Sequence, residues 1–252
     1  MKSFRWWILY PGSKVSSAAY DRAATMFSPD GRLYQVEYAS KIVEQGTLGI
    51  GFVYDKGVLF GADKKISSSL LLPNSVEKLF SIDDHISAIS SGLVGDARRL
   101  VQIARQESQE NKAYYGEPIH VETLVKKIAA IMQVFTQYGG MRPFGVSFIF
   151  GGIDPNGEKK LFEAEPSGAL AEYKAVAIGK NKKEATKVLE TGFKDGMNKK
   201  DAVNLMVKAV KASVLENEKF DVNKLDFAFV EQGISFTRLS AEELINLTSN
   251  KK

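Results

Sequence analysis

Three residues whose types can carry hydrolytic chemistry stand in the first third of the chain. Thr47 directly follows Gly46, Asp63 comes sixteen residues later, and Lys78 stands further downstream. A threonine hydroxyl becomes a nucleophile when cleavage before it frees its own amino group to act as the base. The sequence therefore carries one hypothesis of covalent catalysis, in which Thr47 is the nucleophile of a self-processed hydrolase.

The segment before Thr47 has the pattern of folded structure, which argues against its removal. Residues 28–31, Ser-Pro-Asp-Gly, have the residue order of a type I turn, and a helix is predicted over 33–45. Two apolar stripes run along this helix, one with Leu33, Val36, Ala39 and Val43 and the other with Tyr34, Tyr38 and Ile42. Because water cannot solvate both stripes, we expect the helix to lie between its own domain and another copy. Thr47 is then an inert strand residue.

The apolar pattern after Thr47 alternates between strand and helix periods. Strands are predicted at 48–54, 58–63, 79–82, 85–93, 145–152, 160–164, 169–173, 175–179, 225–230 and 234–239. Helices are predicted over 96–115, over 121–138, from Asn181 onward, over 199–215 and over 242–247. Blocks of strands alternating with pairs of helices predict an α+β fold, a four-layer αββα sandwich with an extra N-terminal helix.

Composition excludes several classes of protein. The net charge of +4, from 34 basic and 30 acidic residues, is too mild to indicate nucleic acid. With no cysteine and only two histidines, a zinc site is not expected, and no motif indicates a cofactor. The apolar run at residues 6–10 is too short for a secretory signal or a membrane span. We therefore predict no metal, no cofactor, no nucleic acid and no membrane partner.

The predicted boundaries define one domain with two tails. Residues 1–19 are predicted to be a flexible N-terminal tail, and 248–252 form a short polar C-terminal tail. Between them, residues 20–247 contain no linker that would divide the chain, so they are predicted to be a single domain that includes the helix over 33–45.

Several motifs carry a resemblance to a known family. Tyr20-Asp21-Arg22, FSPDGRL at 27–33 and QVEYA at 35–39 closely resemble the N-terminal signature of proteasome alpha subunits, most of all the archaeal type. The resemblance continues through DKK at 63–65, EK at 77–78, SGLV at 91–94, QYGG at 137–140, RPFGVS at 142–147, GID at 152–154, PSG at 166–168 and EYKA at 172–175. It covers about residues 18–247.

The resemblance implies both a fold and a function. The fold would be that of the N-terminal nucleophile hydrolases, and the function that of a noncatalytic subunit of the 20S proteasome core. Seven copies would form an outer ring that controls substrate entry into a cytoplasmic protease. The implied partners are other alpha subunits, the beta subunits, and the C-terminal tails of regulatory ATPases or other activators.

The resemblance also gives the catalytic alternative its roles. In the proteasome's catalytic subunits, which resemble this chain in fold, a threonine freed after glycine is helped by an acidic residue and a lysine. Thr47, Asp63 and Lys78 lie near the matching positions, so the alternative is an N-terminal-threonine hydrolase that uses them as nucleophile, acidic partner and lysine. Alpha subunits, however, lack peptidase activity.

A second implied site would receive the tail of an activator. In the alpha subunits that this chain resembles, the lysine that matches Lys78 lies in a pocket between neighbouring subunits. There it binds the terminal carboxylate of the activator. By the same resemblance Gly46, Gly92 and Leu93 line this pocket, and Glu37 would hold Lys78 while the pocket is empty. The alternative is an ordinary surface ion pair between Glu37 and Lys78.

A third implied site is the gate. Tyr20, Asp21, Pro29 and Tyr38 match family positions that pack together when the N-terminal tails are held open. A phenol hydroxyl can donate to the Asp21 carboxylate, and Pro29 gives the turn a stiff edge. The residues before Tyr20 would then close the pore. Local packing of the turn is the other reading of the same residues, and the two are compatible.

Overall fold

A computed structural model describes residues 25–64, 70–72, 75–214, 220 and 224–248 of this chain. Within them the helices are α1 (Tyr34–Gln45), α2 (Val94–Tyr115), α3 (Val121–Gln137), α4 (Lys182–Gly192), α5 (Lys199–Ser213) and α6 (Ala241–Thr248). The strands are β1 (Gly49–Val53), β2 (Gly57–Asp63), β3 (Leu79–Ser81), β4 (Ile86–Gly92), β5 (Val146–Ile153), β6 (Lys159–Ala164), β7 (Leu170–Glu172), β8 (Ala175–Ile178), β9 (Leu225–Glu231) and β10 (Ile234–Arg238). None of these helices is long and apolar enough to cross a membrane.

The strands form two five-stranded antiparallel sheets. Sheet A has the order β10-β9-β2-β1-β8, and sheet B has the order β3-β4-β5-β6-β7. In sheet A the central pairing runs from Gly49 opposite Ala62 to Val53 opposite Val58. Short turns connect β1 to β2 and β9 to β10 in sheet A, and β3 to β4, β5 to β6 and β6 to β7 in sheet B, as expected for antiparallel pairs.

Three apolar clusters hold the layers together. One lies between the sheets and includes Phe60 and Ile149, both fully buried. A second packs α2 and α3 on sheet B, and a third packs α4, α5 and α6 on sheet A. The predicted four-layer αββα sandwich is therefore confirmed, with α2 and α3 outside sheet B and α4, α5 and α6 outside sheet A.

Helix α1 lies on sheet B, against β4 and β5. Of its first predicted stripe, Ala39 and Val43 are buried. On the second stripe Tyr34 stacks on Tyr38 with ring centroids 6.5 Å apart, and Tyr38 keeps 38% of its surface exposed. The two stripes thus differ: one packs against its own domain, and the other is left partly uncovered in the single chain.

Candidate functional site

Lys78 and Thr47 are in direct contact. Lys78 directly precedes β3, its carbonyl accepts from the amide of Ser90 at 3.1 Å, and only 8% of its surface is exposed. Its Nζ atom donates to the carbonyl oxygen of Thr47 at 2.5 Å and also to the Thr47 hydroxyl. The lysine is therefore a buried donor directed at the segment between α1 and β1.

Burial changes the acid strength of this lysine. Removal from water lowers the pKa of Lys78 to about 7, and the negative charge of Asp63 opposes that shift only in part. Asp63 ends β2, where its amide donates to the carbonyl of Leu48 at 3.1 Å. The Lys78 side chain can therefore change between its ammonium and neutral amine forms near neutral pH.

The connection from α1 to β1 is tightly packed around Gly46. The Ser91 hydroxyl lies within 3.2 Å of the carbonyl of Val43 and 3.1 Å of the carbonyl of Thr47, so it ties the end of α1 to β4. A Cβ atom at Gly46 would lie 2.3 Å from that hydroxyl oxygen and 2.6 Å from the amide nitrogen of Gly92. Only glycine fits at this position without displacing its neighbours.

Gly92, the last residue of β4, and Leu93 lie beside the connection from α1 to β1. Gly92 has a φ of +119°, and a Cβ there would lie 2.1 Å from the carbonyl oxygen of Gly145. The amide of Leu93 donates to the same oxygen at 2.8 Å, and 38% of the Leu93 surface is exposed. The structure thus places Gly46 against Gly92, with Leu93 following directly as an exposed apolar side chain.

Asp96 holds the loop beside Leu93 in place. These contacts of Asp96 were not predicted from the sequence. Its carboxylate accepts two bonds from the Arg142 guanidinium, at 2.6 and 2.8 Å, and one from the amide of Gly145 at 2.8 Å. Although burial acts to raise the pKa of Asp96, these three donors lower it overall. No sequence pattern indicates this contact, because Asp96 and Arg142 are far apart in the chain.

Glu37 has a different partner from the one expected. Its carboxylate is bound by the guanidinium of Arg32 through two bonds, at 2.6 and 2.5 Å, which lower the pKa of Glu37. Lys78 is bound to Thr47. This corrects the expected pair of Glu37 with Lys78, because neither the holding contact nor the ordinary ion pair forms within the single chain. Five residues separate Arg32 from Glu37, and the turn before α1 brings them together.

Two of the four gate residues lie in the described part of the chain. Pro29 is in the expected turn, which the amide of Gly31 closes by donating to the carbonyl of Ser28 at 2.8 Å. Tyr38 lies between Tyr34 and Lys41, whose ammonium is 5.4 Å from the Tyr38 ring centroid. Tyr20 and Asp21 lie outside the described residues, so the packing of all four remains a prediction.

These features define a class of protein. Two antiparallel five-stranded sheets between helical layers, with a threonine after glycine leading into one sheet and a lysine bound to it, are the features of a proteasome-type chain. In agreement, the family model for the proteasome subunit matches residues 43–230. A further family model, for the N-terminal signature of the A-type proteasome subunits, matches residues 20–41. The chain belongs to the family of proteasome alpha subunits.

Close relatives support the same assignment. The chain is 47% identical to the proteasome alpha subunit of Methanobrevibacter smithii over 91% of both chains. It is 50% identical to that of Methanothermobacter thermautotrophicus over 78% of this chain and 79% of the relative. With the Methanocaldococcus jannaschii protein it shares 45% identity over 92% of this chain and 88% of the relative.

Membership of this family decides between the two functional hypotheses. Alpha subunits form the noncatalytic ring of the 20S core, and the catalytic threonine belongs to the beta subunits. The chain is thus a noncatalytic structural component that assembles with other alpha and beta subunits. The alternative with Thr47, Asp63 and Lys78 as catalytic residues is wrong, because the chain belongs to the noncatalytic alpha type. In agreement, α1 ends directly before Gly46, so the segment that precedes Thr47 is an integral part of the fold.

Proposed function

We propose that seven copies of this chain, or of this chain and its paralogues, form the outer ring of a cytoplasmic 20S core. The partly uncovered stripe of α1 supports this proposal, because Tyr34 and Tyr38 offer an aromatic surface that a neighbouring copy would cover. Native mass spectrometry of the purified chain tests it: sevenfold rings, single or paired, are expected. Monomers at all concentrations, both for the chain alone and for the chain mixed with its alpha paralogues, would contradict the proposal.

We further propose that Lys78 binds the terminal carboxylate of an activator tail. The observation that carries this proposal is the burial of a lysine that binds Thr47, the residue after Gly46, while Gly92 packs against Gly46 and Leu93 is exposed. An ammonium has three N–H donors, and Thr47 accepts from two of those of Lys78. A carboxylate arriving at the third donor would form a charge-assisted bond shielded from water.

The experiment compares Lys78→Ala with an exposed lysine on α5, Lys208→Ala. Peptide hydrolysis by the assembled particle is measured with a regulatory ATPase from an archaeal relative and with the same ATPase lacking its C-terminal tail. We expect Lys78→Ala to keep its ring assembly and basal rate but to lose stimulation by the intact ATPase. Lys208→Ala should behave as the unsubstituted particle. Unchanged stimulation of the Lys78 variant would contradict the assignment.

We propose that the residues before Tyr20 can close the pore of the ring. Pro29 and Tyr38 would then belong to the contact that holds these residues in the open conformation. Supporting this, Pro29 lies in a rigid turn directly before α1, and Tyr38 is an exposed aromatic side chain on the same helix. The turn and the helix are joined by the Arg32–Glu37 pair. An N-terminal tail that leaves this turn would therefore start from a fixed point.

A further inference from the structure

Strand β8 leaves one edge of sheet A unpaired. Among the residues that the structure describes, it pairs in sheet A only with β1, from Gly49 opposite Ile178 to Phe52 opposite Ala175. Because the amide of Val53 donates to the carbonyl of Lys174 at 2.8 Å, the alternation of an antiparallel ladder directs the backbone groups of Ala175 and Ala177 away from β1. Those groups make no backbone hydrogen bond to any other residue that the structure describes.

A groove of about 660 Å³ runs along this free edge, between β8, α4 and the end of sheet B. We call it the β8 groove; its lining includes Glu163, Ala175, Ala177, Lys183, Lys187 and Phe193. Its wall is mainly apolar and includes the rings of Phe193 and Tyr173. A free strand edge beside an apolar wall is the arrangement that binds an added strand.

Glu163 is an unsatisfied carboxylate in the groove. It is 6% exposed, and its Oε1 atom has no hydrogen-bond partner among the described residues. The nearest cation, Lys182, has its Nζ atom 3.9 Å from this oxygen, which is too far for a hydrogen bond. Buried carboxylates rarely lack a partner, so an N–H or O–H from an occupant of the groove would complete this one.

The rim of the groove is positively charged. Lys183 and Lys187 are exposed on α4 and make no ion pair with any residue in the described ranges. Lys174 is bound to Asp195 at 2.8 Å, and Glu190 is the one exposed acidic residue of the lining. An occupant with carboxylates would therefore be attracted, and a cationic one repelled.

We propose that the β8 groove binds an extended acidic segment of a partner protein. The segment adds a strand to the free edge of β8 and bonds the backbone groups of Ala175 and Ala177. Its acidic side chains lie against Lys183 and Lys187 at the rim, and its apolar side chains alternate with them and pack on Phe193. A backbone amide or hydroxyl of the segment satisfies Glu163.

The test measures binding of a labelled peptide, acetyl-Glu-Val-Glu-Val-Glu-Val-amide, by fluorescence anisotropy, both to the chain alone and to the assembled particle. We expect saturable binding to both, weakened at least tenfold by the double substitution Lys183→Glu and Lys187→Glu. The matched control Lys208→Glu, on the exposed face of α5, should bind as the unsubstituted chain does. Ala175→Pro, at the first residue of an edge strand, removes one outward amide and should also weaken binding.

Two altered peptides separate strand addition from simple attraction of charge. The lysine counterpart, with Lys in place of each Glu, should not bind. The peptide with N-methyl groups on alternate backbone amides keeps its charges but cannot form one side of the ladder, so it should bind at least tenfold more weakly. Equal binding of the methylated peptide would overturn the proposal, as would binding to the chain alone but not to the particle, because the groove would then be an interface between subunits.

A second measurement is independent of the affinity variants. The chain contains no cysteine, so a single Glu190→Cys substitution places one environment-sensitive fluorophore at the rim of the groove. A Lys208→Cys chain with the same fluorophore is its control. The peptide should change the emission of the first and not of the second; an equal response, or none at position 190, would overturn the proposed site.

Discussion

The side chains of Lys78 and Thr47, which are 31 positions apart in the sequence, are joined directly, and the Lys78 ammonium also binds the Thr47 carbonyl at 2.5 Å. Here the threonine serves as an acceptor for the lysine through both its hydroxyl and its carbonyl oxygen. One buried lysine thus fixes the start of β1 and remains the proposed receptor for a tail.

The proposed tail site should depend on pH. Burial lowers the pKa of Lys78 to about 7, so the ammonium that binds a carboxylate is lost as the pH rises through that value. We therefore expect the concentration of activator needed for half-maximal stimulation to increase between about pH 6 and about pH 8. Lys78→Arg keeps its charge throughout this range and is the control. If both particles show the same dependence, the titrating group is not Lys78.

Glu163 should make the stability of the chain depend on pH in a defined direction. Burial raises the pKa of Glu163 from 4.5 to about 7, so the folded state holds its proton more tightly than the unfolded state does. The stabilisation associated with that proton is complete below about pH 4.5 and is lost as the pH rises to about 7. Replacing the carboxyl with an amide avoids this loss. The free energy of unfolding of Glu163→Gln should therefore exceed that of the native chain by up to about 3 kcal/mol at pH 8.

Chemical denaturation at several pH values measures this gain. The difference in stability between Glu163→Gln and the native chain should fall to zero as the pH falls towards the ordinary pKa of a glutamate. Glu190→Gln, at the exposed rim of the same groove, is the matched control and should give no such gain. A constant difference between Glu163→Gln and the native chain at every pH would show that the carboxylate is not the cause.

Gly46 should tolerate no side chain. In Gly46→Ala the new methyl group would lie 2.3 Å from the Ser91 hydroxyl oxygen, and overpacking of this kind costs about 1–3 kcal/mol. Gly95→Ala is the control, because nothing lies within 4 Å of a Cβ at that position in α2. Thermal unfolding of both variants measures the contrast. Equal melting temperatures would mean that the connection between α1 and β1 is looser than the contacts indicate.

The N-terminal tail should limit entry into the particle. A chain that lacks residues 1–19 should assemble normally and give a faster basal hydrolysis of peptides, because the proposed plug is gone. With one short and one long peptide as substrates, the rate of hydrolysis should increase more for the longer peptide. The control is the full-length particle with the same beta subunits. An unchanged rate for both substrates would exclude these residues from the gate.

Much of the fold could be predicted from the sequence because its signals are local. Turn residues bound the strands, and the change from strand to helix period is clear around residue 94. The predicted helix over 121–138 and the observed α3, Val121–Gln137, differ by one residue. The arrangement of the strands in two sheets could also be predicted, because pairs of helices separate the blocks of strands along the sequence.

Side-chain partners could not be predicted in the same way. Glu37 was expected to bind Lys78, but Arg32 in the preceding turn is closer and presents a planar pair of donors that suits a carboxylate. Ser91, which joins the end of α1 to β4, and Glu163 in the β8 groove carry no pattern in the sequence, because their importance comes from neighbours distant in the chain. Family resemblance indicates where a pocket should lie, and the contacts that hold its walls become visible only in the folded chain.

The packing around Gly46 also has an evolutionary consequence. Every single-base change in a glycine codon that alters the amino acid adds a Cβ atom, so no mild variant of Gly46 is available to mutation. A second change at Ser91 could remove one obstacle, the hydroxyl at 2.3 Å, but the other is the backbone nitrogen of Gly92 at 2.6 Å, which no substitution removes. Single substitutions at this junction therefore offer descendants of the chain no route of gradual change.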